Sequence, residues 1–120
     1  MFFKKTMIKK INKIETPEQV NAIIKENPSI FLYLSHESCN VCKQLKPKII
    51  NLLETSFPEI DFLYIDIKKY PEIGGQFTVF AVPTIITYFD SKEFMRYGRN
   101  LGIEQLRADI ERPYGLLFDK

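Results

Sequence analysis

The 120-residue chain has no tryptophan, one histidine, five glycines and two cysteines. Each scarcity excludes something. Few glycines, with 45% apolar residues spread along the chain, argue against disorder or low complexity. No run approaches the ~18–20 apolar residues of a membrane-spanning helix. No apolar run of h-region length follows the early lysines, so no secretory signal is read there and a cytoplasmic protein is expected. The formal charge is only +2, without the concentrated basic stripe of a nucleic-acid binder. Lys4, Lys5, Lys9, Lys10 and Lys13 alternate with apolar residues, which reads as a solvated strand face rather than a site for an anionic partner. There is no internal repeat. The length predicts a single domain over residues 1–120, which buries about two-thirds of its unfolded surface without staples.

What is there alternates between strand and helix signals. Met7 to Ile14 alternates as an edge strand. Thr16-Pro17-Glu18-Gln19 is a helix start, with Thr16 as cap, Pro17 at the first position and Gln19 closing a capping box. Val20, Ile23 and Ile24 form its apolar stripe, and Asn27-Pro28 ends it. Ser29 to Ser35 is a continuous apolar strand, the kind buried on both faces. A helix follows to about Glu54, with Val41, Leu45, Ile49, Leu52 and Leu53 inward and a kink expected at Pro47. Ile60 to Ile67 is a strand, and Pro71 to Phe77 a short helix or turn. Thr84 to Phe89, the turn Asp90-Ser91-Lys92 and Glu93 to Tyr97 form a hairpin. Ile103, Leu106 and Ile110 mark a last helix bounded by Pro113. The order β-α-β-α-β-α-β-β-α predicts an α/β fold: a mixed central sheet with helices on both faces.

The chemistry converges on Cys39-Asn40-Val41-Cys42, which contains both cysteines. The pair lies where a strand ends and a helix begins. Unpaired backbone N–H groups and the positive end of the helix dipole favour the thiolate there, and the thiolate is the reactive species. So short a loop offers little entropic stabilisation as a structural staple. Dithiol–disulfide chemistry competes with two inert buried thiols and with a zinc site. Zinc needs four ligands, and only Cys39, Cys42 and His36 are candidates, which leaves a metal bridging two copies as the remaining form of that reading. No metal and no cofactor is expected. His36 stands three residues before Cys39; as an imidazolium it lowers a neighbouring thiol's pKa, and otherwise it is an exposed loop histidine.

The sequence resembles the thioredoxin family from about Met7 to Glu111. Four features coincide: the CxxC at the strand–helix junction, Pro47 five residues after the second cysteine, Ala81-Val82-Pro83-Thr84, and Gly98 after the hairpin. The resemblance implies a thioredoxin-like fold and a thiol–disulfide oxidoreductase, acting as a reductase. It implies Cys39 as the exposed attacking thiol and Cys42 as the shielded resolving thiol. It also implies a cis peptide before Pro83, with Val82 offering its backbone to an extended substrate. Protein disulfides would be the substrates, with a reductase or small thiol as donor, a monomer, and no nucleic-acid or membrane partner.

The chain departs from that family at the residues that tune the pair. Ser38 replaces the usual Trp, and Asn40-Val41 replaces Gly-Pro. Tyr33 stands where the family has a buried Asp, and Tyr64 where it has the accompanying Lys. A phenol is a poor base at neutral pH but can donate a hydrogen bond to a thiolate. Water, Glu37 or His36 are the candidates to handle the Cys42 proton, and Asp66 either shares that work or caps the turn after its strand. Asn40, Val41, Tyr33 and His36 are thus the redox-tuning candidates. A binding or accessory module with little redox activity is the alternative reading of these losses.

Overall fold

The computed structural model describes residues 14–118. The elements in order are α1 (Pro17–Glu26), β1 (Ser29–Ser35), α2 (Asn40–Ser56), β2 (Asp61–Asp66), α3 (Pro71–Gln76), β3 (Thr84–Phe89), β4 (Lys92–Tyr97) and α4 (Ile103–Phe118). The edge strand expected from Met7 to Ile14 falls outside the described residues except at Ile14, which is not in a strand.

Four strands form one mixed sheet in the order β2-β1-β3-β4. β1 runs parallel to β2, with Ile30 opposite Asp61 and Ser35 opposite Asp66. It runs antiparallel to β3, with Leu34 opposite Thr84. The central strand β1 is buried along its whole length, because its alternate side chains enter two different cores. Phe31 and Tyr33 join Phe62, Ile85 and Phe89 in a core closed by Ile49, Leu52 and Leu53 of α2 and Leu106 and Ile110 of α4. Ile30, Leu32 and Leu34 join Leu63, Ile65 and Ile86 in a core closed by Val20 and Ile24 of α1 and Ile73 of α3. Helices therefore cover both faces of the sheet, as expected.

The local signals explain most boundaries. The α1 capping box forms: the Thr16 side chain accepts from the Gln19 N–H at 3.2 Å, and the Gln19 side chain accepts from the Thr16 N–H at 3.1 Å. The hairpin turns on Asp90 and Ser91, both with positive φ (56° and 68°), the backbone hand that matches strand twist. Two expectations fail. Val41 is exposed, not part of the inward face of α2, because Cys42 takes the first inward position. Pro113 does not end the last helix, which runs through it to Phe118. The lost N–H at Pro113 is outweighed by packing beyond it. Tyr114 packs edge-on against Phe57 at 5.0 Å and contacts Phe118 at 4.8 Å, and its hydroxyl accepts from the Glu59 N–H at 3.2 Å.

Candidate active site

The sheet register brings three segments to one end of the molecule. β1 finishes at Ser35 and leads into the His36–Cys39 loop. Thr84 pairs with Leu34, so Pro83 stands beside the same end. The parallel pairing brings Tyr64 and Asp66 of β2 there as well. Val82 packs against the core that contains Cys39 and Cys42, and the Val82–Pro83 peptide bond is cis.

Cys39 is the N-cap of α2. Its Sγ accepts the Cys42 N–H at 3.1 Å, which satisfies one of the donors a helix start leaves unpaired. The loop closes with the Cys39 N–H donating to the His36 carbonyl at 3.2 Å. Cys39 and Cys42 form a disulfide, with their Cα atoms 5.2 Å apart, inside the range such a bond spans. One helical turn thus supplies the geometry with little backbone cost.

Both sulfur residues are shielded. Cys39 is 7% exposed and Cys42 2%, so the expectation of an exposed first cysteine is corrected: it is only the more accessible of the two. The reason is the cap itself, which turns Sγ of Cys39 back onto the helix and onto Cys42. Asn40 and Val41 are the exposed residues of the motif.

Beneath the pair lie the two phenols. Tyr33 and Tyr64 face each other across β1 and β2, with ring centroids 6.1 Å apart. The Tyr33 hydroxyl donates to the Cys42 carbonyl at 2.6 Å, so Tyr33 is a core aromatic with a satisfied hydroxyl. Burial, and secondarily Tyr64, push the Tyr33 phenol up to about 12. Burial also raises Tyr64, with a hydrogen bond from Ser35 opposing and the charges of Asp66 and Glu37 adding. The Lys46 ammonium lies 4.3 Å above the Tyr64 ring, a cation–π contact between α2 and β2. Asp66 Oδ1 accepts the N–H groups of Lys68 and Lys69 at 3.0 and 3.1 Å, the capping role among its two candidates. Ile73 and Phe77 are core, whereas Phe80 beside the Ala81-Val82-Pro83 segment is 84% exposed. Among the described residues no three His, Cys, Asp or Glu side chains group to hold a metal ion, and no helix there is long and apolar enough to cross a membrane.

A buried sheet flanked by helices, with a CxxC disulfide capping a helix beside a proline loop, defines an α/β dithiol–disulfide protein. The thioredoxin family model matches residues 9–112, and the protein belongs to the thioredoxin family. The thioredoxin-like protein YdfQ of Bacillus subtilis is 30% identical over 109 residues, 91% of this chain and 96% of that one. Thioredoxin 1 of Thermosipho africanus is similar at 33% identity and a TM-score of 0.66, over 76% of this chain and all but 1% of its own, 99% being covered. Oxidised mitochondrial thioredoxin 3 of Saccharomyces cerevisiae shares the fold, with a TM-score of 0.74 at 22% identity, covering 87% of this chain and 96% of that one. The protein is a thiol–disulfide oxidoreductase. Proteins of this family act on protein disulfides, with electrons from a reductase.

Proposed function

We propose that the protein reduces protein disulfides, with Cys39 as the attacking thiol and Cys42 as the resolving one. The observation that carries the assignment is the cap. Cys39 Sγ holds the Cys42 N–H at the helix start and is the more accessible sulfur, whereas Cys42 lies one turn deeper. A thiolate on Cys39 gains from the N–H and from the helix dipole. It attacks a substrate sulfur, a mixed disulfide forms, and Cys42 displaces the substrate thiol from Cys39. Val82 and Pro83 bind the substrate: the backbone at Val82 pairs with an extended peptide beside the cysteines. Asn40 and Val41, exposed between the sulfurs, adjust the potential and contact the partner. Reduction of the resting disulfide falls to a partner reductase or a small thiol, in a reducing cytoplasm.

The protein works as a monomer. β4 carries Lys92, Glu93 and Arg96 along an exposed edge broken by a bulge at Phe94, opposite Thr87 and Tyr88 of β3, features that discourage strand pairing between copies. The test is reduction of a model protein disulfide with dithiothreitol as donor. Wild type should exceed the uncatalysed rate and Cys39→Ser should fall back to it. A wild type no faster than Cys39→Ser would leave a binding module in place of a reductase. In the Cys42→Ser variant, partners should remain trapped as mixed disulfides on Cys39.

A further inference from the structure

The exchange just described needs an acceptor for one proton. Before Cys42 can attack the mixed disulfide, its thiol must ionise. Neither phenol beside it is a base near neutrality. Tyr33 is pushed up to about 12 by burial and by Tyr64, and its hydroxyl already donates to the Cys42 carbonyl. Tyr64 is raised as well, by burial first. Asp66 Oδ1 is engaged by two backbone N–H groups.

Cys42 lies instead on a cleft of ≈ 290 Å³, which it shares with Ser35, His36, Glu37, Lys43, Lys46 and Tyr64. His36 is the only histidine of the chain. Its Nδ1 is buried and has no hydrogen-bond partner among the described residues. Buried polar atoms are almost always partnered, so an unpartnered ring nitrogen on a residue that shares a cleft with Cys42 calls for an explanation. Imidazole is the side chain whose ordinary titration range lets it take and return a proton near neutrality. The charged and titratable groups around it are Glu37 on the same loop, Lys43 and Lys46 from α2, and Tyr64 with the neighbouring Asp66 from β2.

We propose that His36 accepts the Cys42 proton in the resolving step, an inference that rests on the assignment of Cys42 above. In the mixed disulfide, the Cys42 thiol proton passes to the imidazole of His36. The Cys42 thiolate attacks Sγ of Cys39. The bond from Cys39 to the substrate sulfur breaks and the Cys39–Cys42 bond forms. Two electrons have left the dithiol for the substrate, whose sulfur departs as a thiolate and takes the proton from the imidazolium. The thiol donor later returns two electrons and is itself oxidised to a disulfide.

The reduced protein, mixed rapidly with a symmetric chromogenic aryl disulfide, releases aryl thiolate in two phases. The first reports attack by Cys39 and the second resolution by Cys42. His36→Gln and His36→Ala should slow the second phase about 100-fold at about pH 7. The deficit should shrink to less than about threefold near pH 9.5, where an ordinary thiol ionises unaided. A second phase within about twofold of wild type at neutral pH overturns the proposal, and so does a deficit equal at every pH, which marks a structural role. The wild type supplies a check that needs no variant: a second phase that merely tracks ionisation of a thiol near pH 8.5 also overturns it. In Cys42→Ser the second phase should vanish; if it persists, Cys42 is not the resolving thiol and the two failures are told apart.

Discussion

Tyr33 occupies the most consequential single position under the active site. Its ring is fully buried between Phe62 and Tyr64, and its hydroxyl holds the first turn of α2 at the Cys42 carbonyl. Tyr33→Phe keeps the ring packing and removes only that bond. It should cost about 1 kcal/mol, read as a lower urea midpoint of the oxidised protein. An unchanged midpoint would mean that the bond adds nothing to the fold. In the sequence Tyr33 reads as part of a buried strand and as a departure from a family pattern. Neither its partner nor its backbone target could be read there, because the acceptor lies nine positions away in a different element.

At the scale of elements, α3 ends in a way its sequence conceals. The Val79 N–H donates to the Gly74 carbonyl at 2.8 Å and the Thr78 N–H to the Gly75 carbonyl at 3.2 Å, the paired bonds of a Schellman stop. That stop needs a left-handed residue, and the residue is Thr78, at φ 57°. A β-branched side chain is strained there. Glycine stands earlier, at Gly74, where a Cβ would lie 3.3 Å from Ile67 Cβ: packing, not the turn, accounts for it. Thr78→Gly should therefore stabilise the protein by about 1 kcal/mol, measured by chemical denaturation. A loss of stability would show that the threonine side chain makes a contact worth more than its strain. Pro113 teaches the same lesson from the other side. An interior proline costs about 3 kcal/mol of helix stability. The ring contacts of Tyr114 with Phe57 and Phe118 nonetheless carry α4 past it, and none of them is visible in local propensity.

For the whole molecule, the buried phenols set an alkaline limit. Burial pushes Tyr33 and Tyr88 up to about 12, aided by Tyr64 and by Glu93 respectively. Burial also raises Tyr97, which donates to Asp109 at 2.9 Å, and Tyr64. Each folded value lies above the unfolded value near 10, so folding favours the neutral phenol. Their contribution is complete below about pH 10 and is lost as the pH rises towards about 12. Urea denaturation followed from about pH 8 upward should show stability level at first and falling through that window, with phenolate absorbance appearing as the protein unfolds. A flat profile to about pH 12 would show the phenols to be already accessible.

By itself the sequence determined the order of the strands and helices from α1 onward, the α1 cap, the two-faced burial of β1, and Cys39-Asn40-Val41-Cys42 at a helix start. These follow from periodicity, capping residues and spacing, all of which act within a few positions along the chain. The tertiary structure alone decided what stands beside that pair. It turned Cys39 back onto the helix as a shielded cap. It brought Pro83 to the cysteines' end of the sheet through the pairing of Leu34 with Thr84, and packed Val82 against the core that contains them. It brought His36, Lys46 and Tyr64 to one cleft with Cys42. Those juxtapositions depend on the register between strands far apart in the chain, which no signal within one segment encodes.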